Sequence, residues 1–190
     1  MDWLISFFVE SGTFWGAVSA IAAAYAVYQA HKIQKDSQAA LRPFFVIKEP
    51  GLKQLPNSSS LRMQITMINE GGRPAKNLEY RLVMRPVEGA KNTLLDISAS
   101  IGMPVPVGSP TPWYNDTVSP GQNTPPHFVF LGLRYDDYNS KKTYKQAFLM
   151  RWNGVNDGKM APDFVYPSKE EVSEFLVSQP DLAREYQEIA

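Results

Sequence analysis

The sequence lacks cysteine and has very little histidine, which removes several chemistries at once. Without cysteine, the 190-residue chain has no disulfide framework, thiol nucleophile or cysteine-ligated zinc site. His31 and His127 are the only histidines, so a histidine-based triad or metal cluster has almost no material. Phosphate-loop, dinucleotide-binding, nucleophile-elbow and zinc-protease motifs are also absent. We therefore expect a protein that is not an enzyme and that uses no cofactor and no metal.

The chain also lacks an excess of either charge. Its 19 Lys and Arg residues balance 19 Asp and Glu residues. A general nucleic-acid binder needs a clear basic excess to neutralise phosphates. We therefore expect no nucleic-acid polymer among its partners.

Charge is absent altogether from residues 11–30. As a helix rising about 1.5 Å per residue, this stretch matches the roughly 30 Å hydrocarbon core of a bilayer. Trp15 near one end and Tyr25 and Tyr28 near the other resemble interfacial aromatic anchors. We interpret the stretch as a single transmembrane helix in contact with membrane lipid. The alternative is a buried helix of a soluble protein, since the stretch contains no leucine.

Small residues recur at every fourth position of this predicted span. They are Gly12, Gly16, Ala20 and Ala24. Helices in lipid associate through close van der Waals contact, which a strip of small side chains allows. We therefore predict a homo-oligomer packed through this strip. A monomeric anchor is the alternative, because alanine-rich spans contain such spacings by chance.

The flanking charges predict the orientation of the span. Residues 1–10 contain acidic side chains and no Lys or Arg, whereas Lys32 and Lys35 follow the span closely. The positive-inside rule then places residues 1–10 outside the cytoplasm, at or near the interface of the inner membrane, and the rest of the chain in the cytoplasm. Residues 31–42 are predicted to continue the helix as a short stalk that Pro43 ends.

After the stalk, the hydrophobic pattern changes to period two, which is typical of β-strands. Residues 127–135 carry apolar side chains on both faces, which predicts a central strand, and a polar turn joins them to 144–152 in a hairpin. We therefore predict a mainly β domain with antiparallel sheets over residues 43–166. The other predicted strands are 44–47, 61–67, 78–84 and 93–97.

Two helices are predicted in residues 167–190. Ser168 and Glu171 have the spacing of a capping box ahead of an apolar run, which predicts the start of the first helix. Pro180 is suited to the first position of the second helix.

Residues 102–126 contain seven prolines, and proline removes the hydrogen-bond donors that a central strand needs. We therefore predict a long connection without secondary structure, a kind of segment that is often functional. Trp113 and Tyr114 lie at its middle and form our first candidate surface for a ligand or partner. The alternative is that Trp113 folds back over the core.

The predicted hairpin carries a second candidate surface, made of cationic side chains interleaved with tyrosines. Cationic donors and stacking rings can hold a nucleotide or an anionic lipid headgroup. The alternative is an ordinary charged edge that deters aggregation between strands. The residues are Arg134, Tyr135, Lys141, Lys142, Tyr144, Lys145 and Arg151.

Several short motifs accompany the span and the stalk that ends in Arg42 and Pro43. They are Asn69-x-Gly71-x-x-Pro74-Ala75, Ser119-Pro120-Gly121-Gln122 and Leu133-x-Tyr135-x-Asp137 with Tyr144 beyond. Over about residues 10–152, this combination resembles bacterial membrane-anchored proteins with an immunoglobulin-like β-sandwich, most of them uncharacterised. The resemblance implies a sandwich fold and says little about activity, because the motifs are turn chemistry. The proline-rich segment and the terminal helices depart from the pattern.

These observations favour a membrane-anchored, non-enzymatic binding or scaffolding protein with a cytoplasmic sandwich, which binds a protein partner or a small anionic ligand. An alternative is a membrane effector whose cytoplasmic domain senses a small anionic ligand, such as a signalling nucleotide in phage defence, and rearranges the spans. A third hypothesis is an enzyme that uses Asp116, Asp136 or Asp137.

Overall fold

The computed structural model describes residues 19–35, 37, 41–55, 60–88, 93–161 and 163–189. The chain divides between Arg42 and Pro43 into two compact units. In the first unit, residues 19–35 form helix α1, on which Ala20 and Ala24 are exposed. Among the described residues, no helix is both long enough and apolar enough to cross a bilayer.

Part of the predicted membrane segment falls on residues that the structure does not describe. Residues 1–10 and the first part of the predicted span, 11–18, lie outside the described residues. The same holds for Gly12 and Gly16, two of the four small residues proposed to pack against a second copy.

The second unit is mainly β, because its apolar side chains alternate along the chain. In Leu61–Asn69, every odd-numbered side chain is buried and every even-numbered one is partly exposed. This alternation suits a strand with one face in a core. The strands are β1 (Phe45–Gln54), β2 (Leu61–Asn69), β3 (Ala75–Pro86), β4 (Leu95–Ile101), β5 (Pro110–Val118), β6 (His127–Asp137), β7 (Thr143–Trp152), β8 (Val155–Asn156), β9 (Lys159–Met160) and β10 (Phe164–Val165).

The strands form two main antiparallel sheets and one small hairpin. One sheet has the order β1-β2-β5, the other has the order β10-β7-β6-β3-β4, and β8 pairs with β9. Side chains from both main sheets share one buried core, for example Phe45 and Ile65 from the smaller sheet and Leu82 and Leu131 from the larger. The predicted hairpin of β6 and β7 and the predicted mainly antiparallel β fold are confirmed, and the two sheets are sandwich-like.

The predicted connection over residues 102–126 is wrong in part, because β5 runs through it. Among the described strands, β5 pairs with β2 alone and lies at the edge of its sheet, and Pro110 and Pro112 stand opposite Ile68 and Thr66. An edge strand hydrogen-bonds on one side only and therefore tolerates proline, whereas a central strand does not. The prolines therefore exclude a central strand here but are compatible with the edge strand β5.

Two helices close the chain, as predicted. They are α2 (Lys169–Ser178) and α3 (Pro180–Ile189). α2 begins with the predicted capping box, in which the hydroxyl of Ser168 accepts from the backbone N–H of Glu171 and the Glu171 side chain accepts from the N–H of Ser168. Both helices lie on the outer face of the larger sheet, where they build a second core with Phe128 and Phe130 of β6.

The motif that begins at Asn69 stabilises one end of the sandwich. The buried Asn69 side chain accepts from the N–H groups of Phe44 and Gly71, at 3.2 and 3.1 Å, and donates to the carbonyl of Arg73 at 2.8 Å. One amide thus holds the start of β1 and the turn before β3 together. The motif is therefore turn chemistry in this structure.

Candidate functional site

Part of the outer face of the larger sheet is left open beside α3. Side chains on this face form rows across the strands, since cross-strand partners in antiparallel pairs lie on the same face. One row joins Ser98, Arg81 and Gly132, and the next joins Ser100, Glu79, Arg134 and Lys145. Together with Glu185 of α3, these residues line a groove of about 490 Å³. This volume lies within the range of small-molecule sites.

Gly132 forms the floor of the groove. A Cβ atom at this position would lie 3.1 Å from Oε1 of Glu185 and 3.2 Å from the ring of Phe130. Both distances are tighter than ordinary van der Waals contact. The missing side chain therefore lets the Glu185 carboxylate come down close to the sheet.

Arg81 is the cation at the centre of the groove. Its Nε and Nη2 atoms donate to the two carboxylate oxygens of Asp96 at 3.3 and 3.1 Å, and its Nη1 donates to Oε2 of Glu185 at 2.9 Å. The hydrogen bonds to Asp96, helped by the charge of Glu185, hold the pKa of Arg81 above its ordinary value. The guanidinium is thus held in one orientation by β4 and α3 together.

Two further cations lie at the rim, opposite one another on β6 and β7. Arg134 donates to Oε2 of Glu79 at 3.2 Å, and both side chains of this pair are more than half exposed. Lys145 is the direct cross-strand partner of Arg134 and makes no ion pair with any described residue. Like charges directly opposite in a sheet are unfavourable. This end of the groove therefore presents uncompensated positive charge.

A smaller hollow of about 280 Å³ continues from the groove toward the turn between β6 and β7. Asp136 lines it, accepting from the Asn77 amide at 2.9 Å and the Thr143 hydroxyl at 2.7 Å, and these hydrogen bonds lower its pKa. Asp137 is buried, which by itself would raise its pKa. Hydrogen bonds from Ser140, Asn139 and Arg73 outweigh the burial and lower it. Both carboxylates therefore serve the turn as charged acceptors.

The cationic cluster predicted on the hairpin is divided among several places. Arg134 and Lys145 lie in the groove, whereas Arg151 forms an ion pair with Glu171 of α2. Lys141 and Lys142 lie exposed in the turn that joins β6 to β7.

The two tyrosines of the predicted cluster belong mainly to the core. Tyr135 is buried, and its hydroxyl donates to Oε1 of Gln146 at 2.7 Å. Tyr144 is half-buried and stacks on Tyr135 at 6.1 Å between centroids. Gln146 also accepts from the N–H of Phe45 at 2.8 Å, which joins β1 of the smaller sheet to β7 of the larger one. This group of side chains serves the fold.

Trp113 packs against the core rather than standing free. Its ring meets that of Tyr80 edge to face at 4.6 Å between centroids, and it adjoins the main hydrophobic cluster. This is the alternative that the sequence left open for Trp113. Tyr114 follows it on β5, and its side chain lies outside the described part of the chain. The surface predicted at these two residues is not part of the groove.

His127 lies on the same strand as Gly132, but its described environment is structural. Its ring is buried beside Trp152, with Nδ1 2.7 Å from the carbonyl oxygen of Pro125. Burial lowers the pKa of His127. A neutral, buried imidazole at the start of β6 fits a role in packing.

Sequence reasoning missed most of the groove. One signal was present: a glycine inside a strand often marks a close approach by another group, and Gly132 stands within the apolar run of β6. The residues near Gly132 in the sequence do not indicate that the side chain of Glu185, about fifty residues later in α3, lies over it. The lining residues that were not predicted include Glu79, Arg81, Ser98, Ser100, Gly132 and Glu185.

No protein-family model matches the chain, and no curated protein matches it. Among solved structures, the chain is similar to the X-ray structure of the Northeast Structural Genomics Consortium target SoR45, with 15% sequence identity and a TM-score of 0.43. The match covers 67% of this chain and 96% of that one.

Proposed function

We propose that this chain is a non-enzymatic binding protein that is anchored to a membrane and uses the groove beside α3 as its ligand site. The groove is the observation that carries the proposal. It has the volume of a small-molecule site, and a few charged side chains, those of Arg81, Arg134 and Lys145, converge on it. Asp136 and Asp137, two of the three carboxylates named in the enzyme hypothesis, are hydrogen-bonded within and beside the turn between β6 and β7, which supports a role in the fold.

The membrane part of the proposal rests on the sequence and on the surface of α1. Residues 11–30 carry no charge, and the apolar side chains of Ile21 and Val27 are about 70% exposed. A lipid environment would remove this apolar surface from water. We propose that residues 11–30 span the inner membrane and that the immunoglobulin-like domain lies in the cytoplasm. The span packs against the spans of further copies through Gly12, Gly16, Ala20 and Ala24.

A charge placed at the middle of the span tests the anchor. An aspartate at the centre of a transmembrane helix costs about 2.5–3.5 kcal/mol. We expect the full-length protein in the membrane fraction after an alkaline wash, and we expect Ile21→Asp to shift much of it to the soluble fraction. Val177→Asp is the matched control, because Val177 is an exposed valine on α2. Full-length protein that stays soluble without detergent contradicts the proposed anchor.

A second candidate function is a membrane effector that senses a small anionic ligand and rearranges the spans. The cations Arg81, Arg134 and Lys145 in one groove favour it. A ligand that binds only the folded state raises the apparent stability, by about 2.7 kcal/mol at a hundred times its Kd. Thermal shift of the full-length protein against nucleotides therefore tests this candidate: a nucleotide sensor is stabilised, and the absence of any shift with nucleotides would contradict it.

A further inference from the structure

Two carboxylates of the protein line the groove, those of Glu79 and Glu185, and the second of them contacts the central cation. The Glu185 carboxylate lies over Gly132 and accepts a hydrogen bond from Arg81 at 2.9 Å. A carboxylate therefore fits between the floor of the groove and its central cation. The position taken by Glu185 shows where an external anion would find the same donor.

α3 does not depend on Glu185 for its attachment to the sheet. Leu182 and Ala183 are buried in the second core, and Asp181 forms an ion pair with Arg85 at 2.8 Å. The Arg81–Glu185 pair is about one-third exposed at both partners, so it is only a weak contributor to stability. The contact of Glu185 with Arg81 is therefore exchangeable while the start of α3 stays in place.

The other cations of the groove lie within reach of an anion bound at Arg81. Arg134 is the diagonal cross-strand neighbour of Arg81, which corresponds to roughly 7–8 Å between backbones. Lys145 stands opposite Arg134 without an ion pair among the described residues. A ligand with two anionic groups can contact Arg81 and also neutralise the adjacent cations at the rim.

We infer that the groove binds a small ligand bearing phosphate or carboxylate groups, and that Glu185 competes with this ligand for Arg81. The inference rests on the proposed ligand-binding function and adds its chemistry and its regulation. Asp96 keeps Arg81 in position when Glu185 leaves, because it holds the guanidinium through two separate nitrogens. Ligand binding thus releases the Glu185 side chain from Arg81, whereas the apolar contacts of α3, including that of Tyr186 with Phe175, stay in place.

Calorimetric titration of the full-length protein tests the competition, with inorganic pyrophosphate, adenosine diphosphate and citrate as probes at constant ionic strength. Glu185→Gln keeps the size of the side chain and removes its charge, so we expect it to bind at least one probe about threefold more tightly than the wild type. Lys145→Gln should bind the same probe about threefold more weakly. Which probe responds distinguishes a nucleotide from a simple phosphate or a carboxylate.

Asp181→Asn is the matched control, because it removes another α3 carboxylate and another ion pair with an arginine outside the groove. We expect its affinity for the probe to equal that of the wild type. If Glu185→Gln binds no more tightly than Asp181→Asn, the competition is overturned, and binding itself stands. If none of the three probes binds the wild type or Glu185→Gln, the anion site is overturned, and the proposed membrane anchor is then judged separately by the fractionation of Ile21→Asp.

Discussion

The outer face of the larger sheet has two halves, which the same strands supply. The helices α2 and α3 cover one half and leave the other open. In one half, Val83, Phe130 and Leu149 are buried under α2 and α3. In the other half, Arg81 and Gly132 stand only two residues further along the same strands and line an open groove. Two residues are one repeat of a strand, so a change of side chain at a single repeat decides where the helices stop covering the sheet.

The physical reason for the boundary is the cost of burying charge. Apolar side chains gain about 25 cal/mol for each Å² removed from water, which favours a helix on top of them. A guanidinium such as that of Arg81 loses hydration on burial and needs carboxylate partners. It obtains them from Asp96 and from Glu185, which stands at the margin of the covered half. The helices therefore cover the apolar rows and leave the charged rows to water.

Removing the main apolar contact of the covered half should have the largest effect. Phe175 is completely buried and meets Phe128 edge to face at 5.3 Å between centroids. We expect Phe175→Ala to lower the free energy of unfolding by about 3–5 kcal/mol, measured by denaturant titration. Val177→Ala, at an exposed position on the same helix, should change it by less than about 0.5 kcal/mol. Equal losses in the two variants would show that α2 does not cover the sheet as described.

Filling the open half should have a smaller effect on stability and a larger one on binding. Gly132→Val places a branched side chain where a Cβ alone would already press on Glu185 and Phe130. We expect about 1–3 kcal/mol of destabilisation from overpacking and the loss of the thermal shift caused by any ligand of the groove. Gly132→Ala should give the same changes to a lesser degree. A ligand that stabilises wild type and Gly132→Val alike would bind elsewhere.

Acid should reveal the smallest difference, at the ion pair that attaches α3 to the covered half. Burial by itself would raise the pKa of Asp181, but hydrogen bonding and charge attraction from Arg85 lower it below its ordinary value of 3.8. Because the folded-state pKa is depressed, the stabilisation is fully present above that ordinary value and is lost as the pH falls through the folded-state pKa. The side chain is 57% exposed, so we expect less than about 1 kcal/mol.

The measurement is the free energy of unfolding from about pH 6 to about pH 2 for wild type and Asp181→Asn. The difference between the two proteins should be constant above about pH 4 and should shrink as the pH falls further. If the wild type instead gained stability relative to Asp181→Asn as the pH falls, the charged form of Asp181 would be destabilising.

Much of the β domain is predictable from local pattern. Phe128 and Phe130 alternate with Val129 and Leu131, which indicates burial on both faces, and β6 indeed lies between two cores. The capping box at Ser168 likewise gives the start of α2 from four consecutive residues. Each of these signals is complete within one element, so neighbours along the chain contain the whole of the information.

The candidate site was less accessible to such reasoning. The hairpin sequence brings Arg134 and Lys145 together, and both do lie in the groove. The same spacing also grouped them with Tyr135, which points into the core on the opposite face. The sequence does not predict Arg81 as a site residue, because only the pairing of β3 with β6 places it beside Gly132.

The sequence by itself determined the uncharged segment 11–30, the alternation that makes the strands and the start signals of the two last helices. These are properties of neighbouring residues, which interact whatever the rest of the chain does. Only the tertiary structure decided that a proline-rich segment would form the edge strand β5 and that Trp113 would close over the core. It alone also set Arg81, Gly132 and Glu185 around one groove, because strand order and helix docking join residues that are distant in the chain.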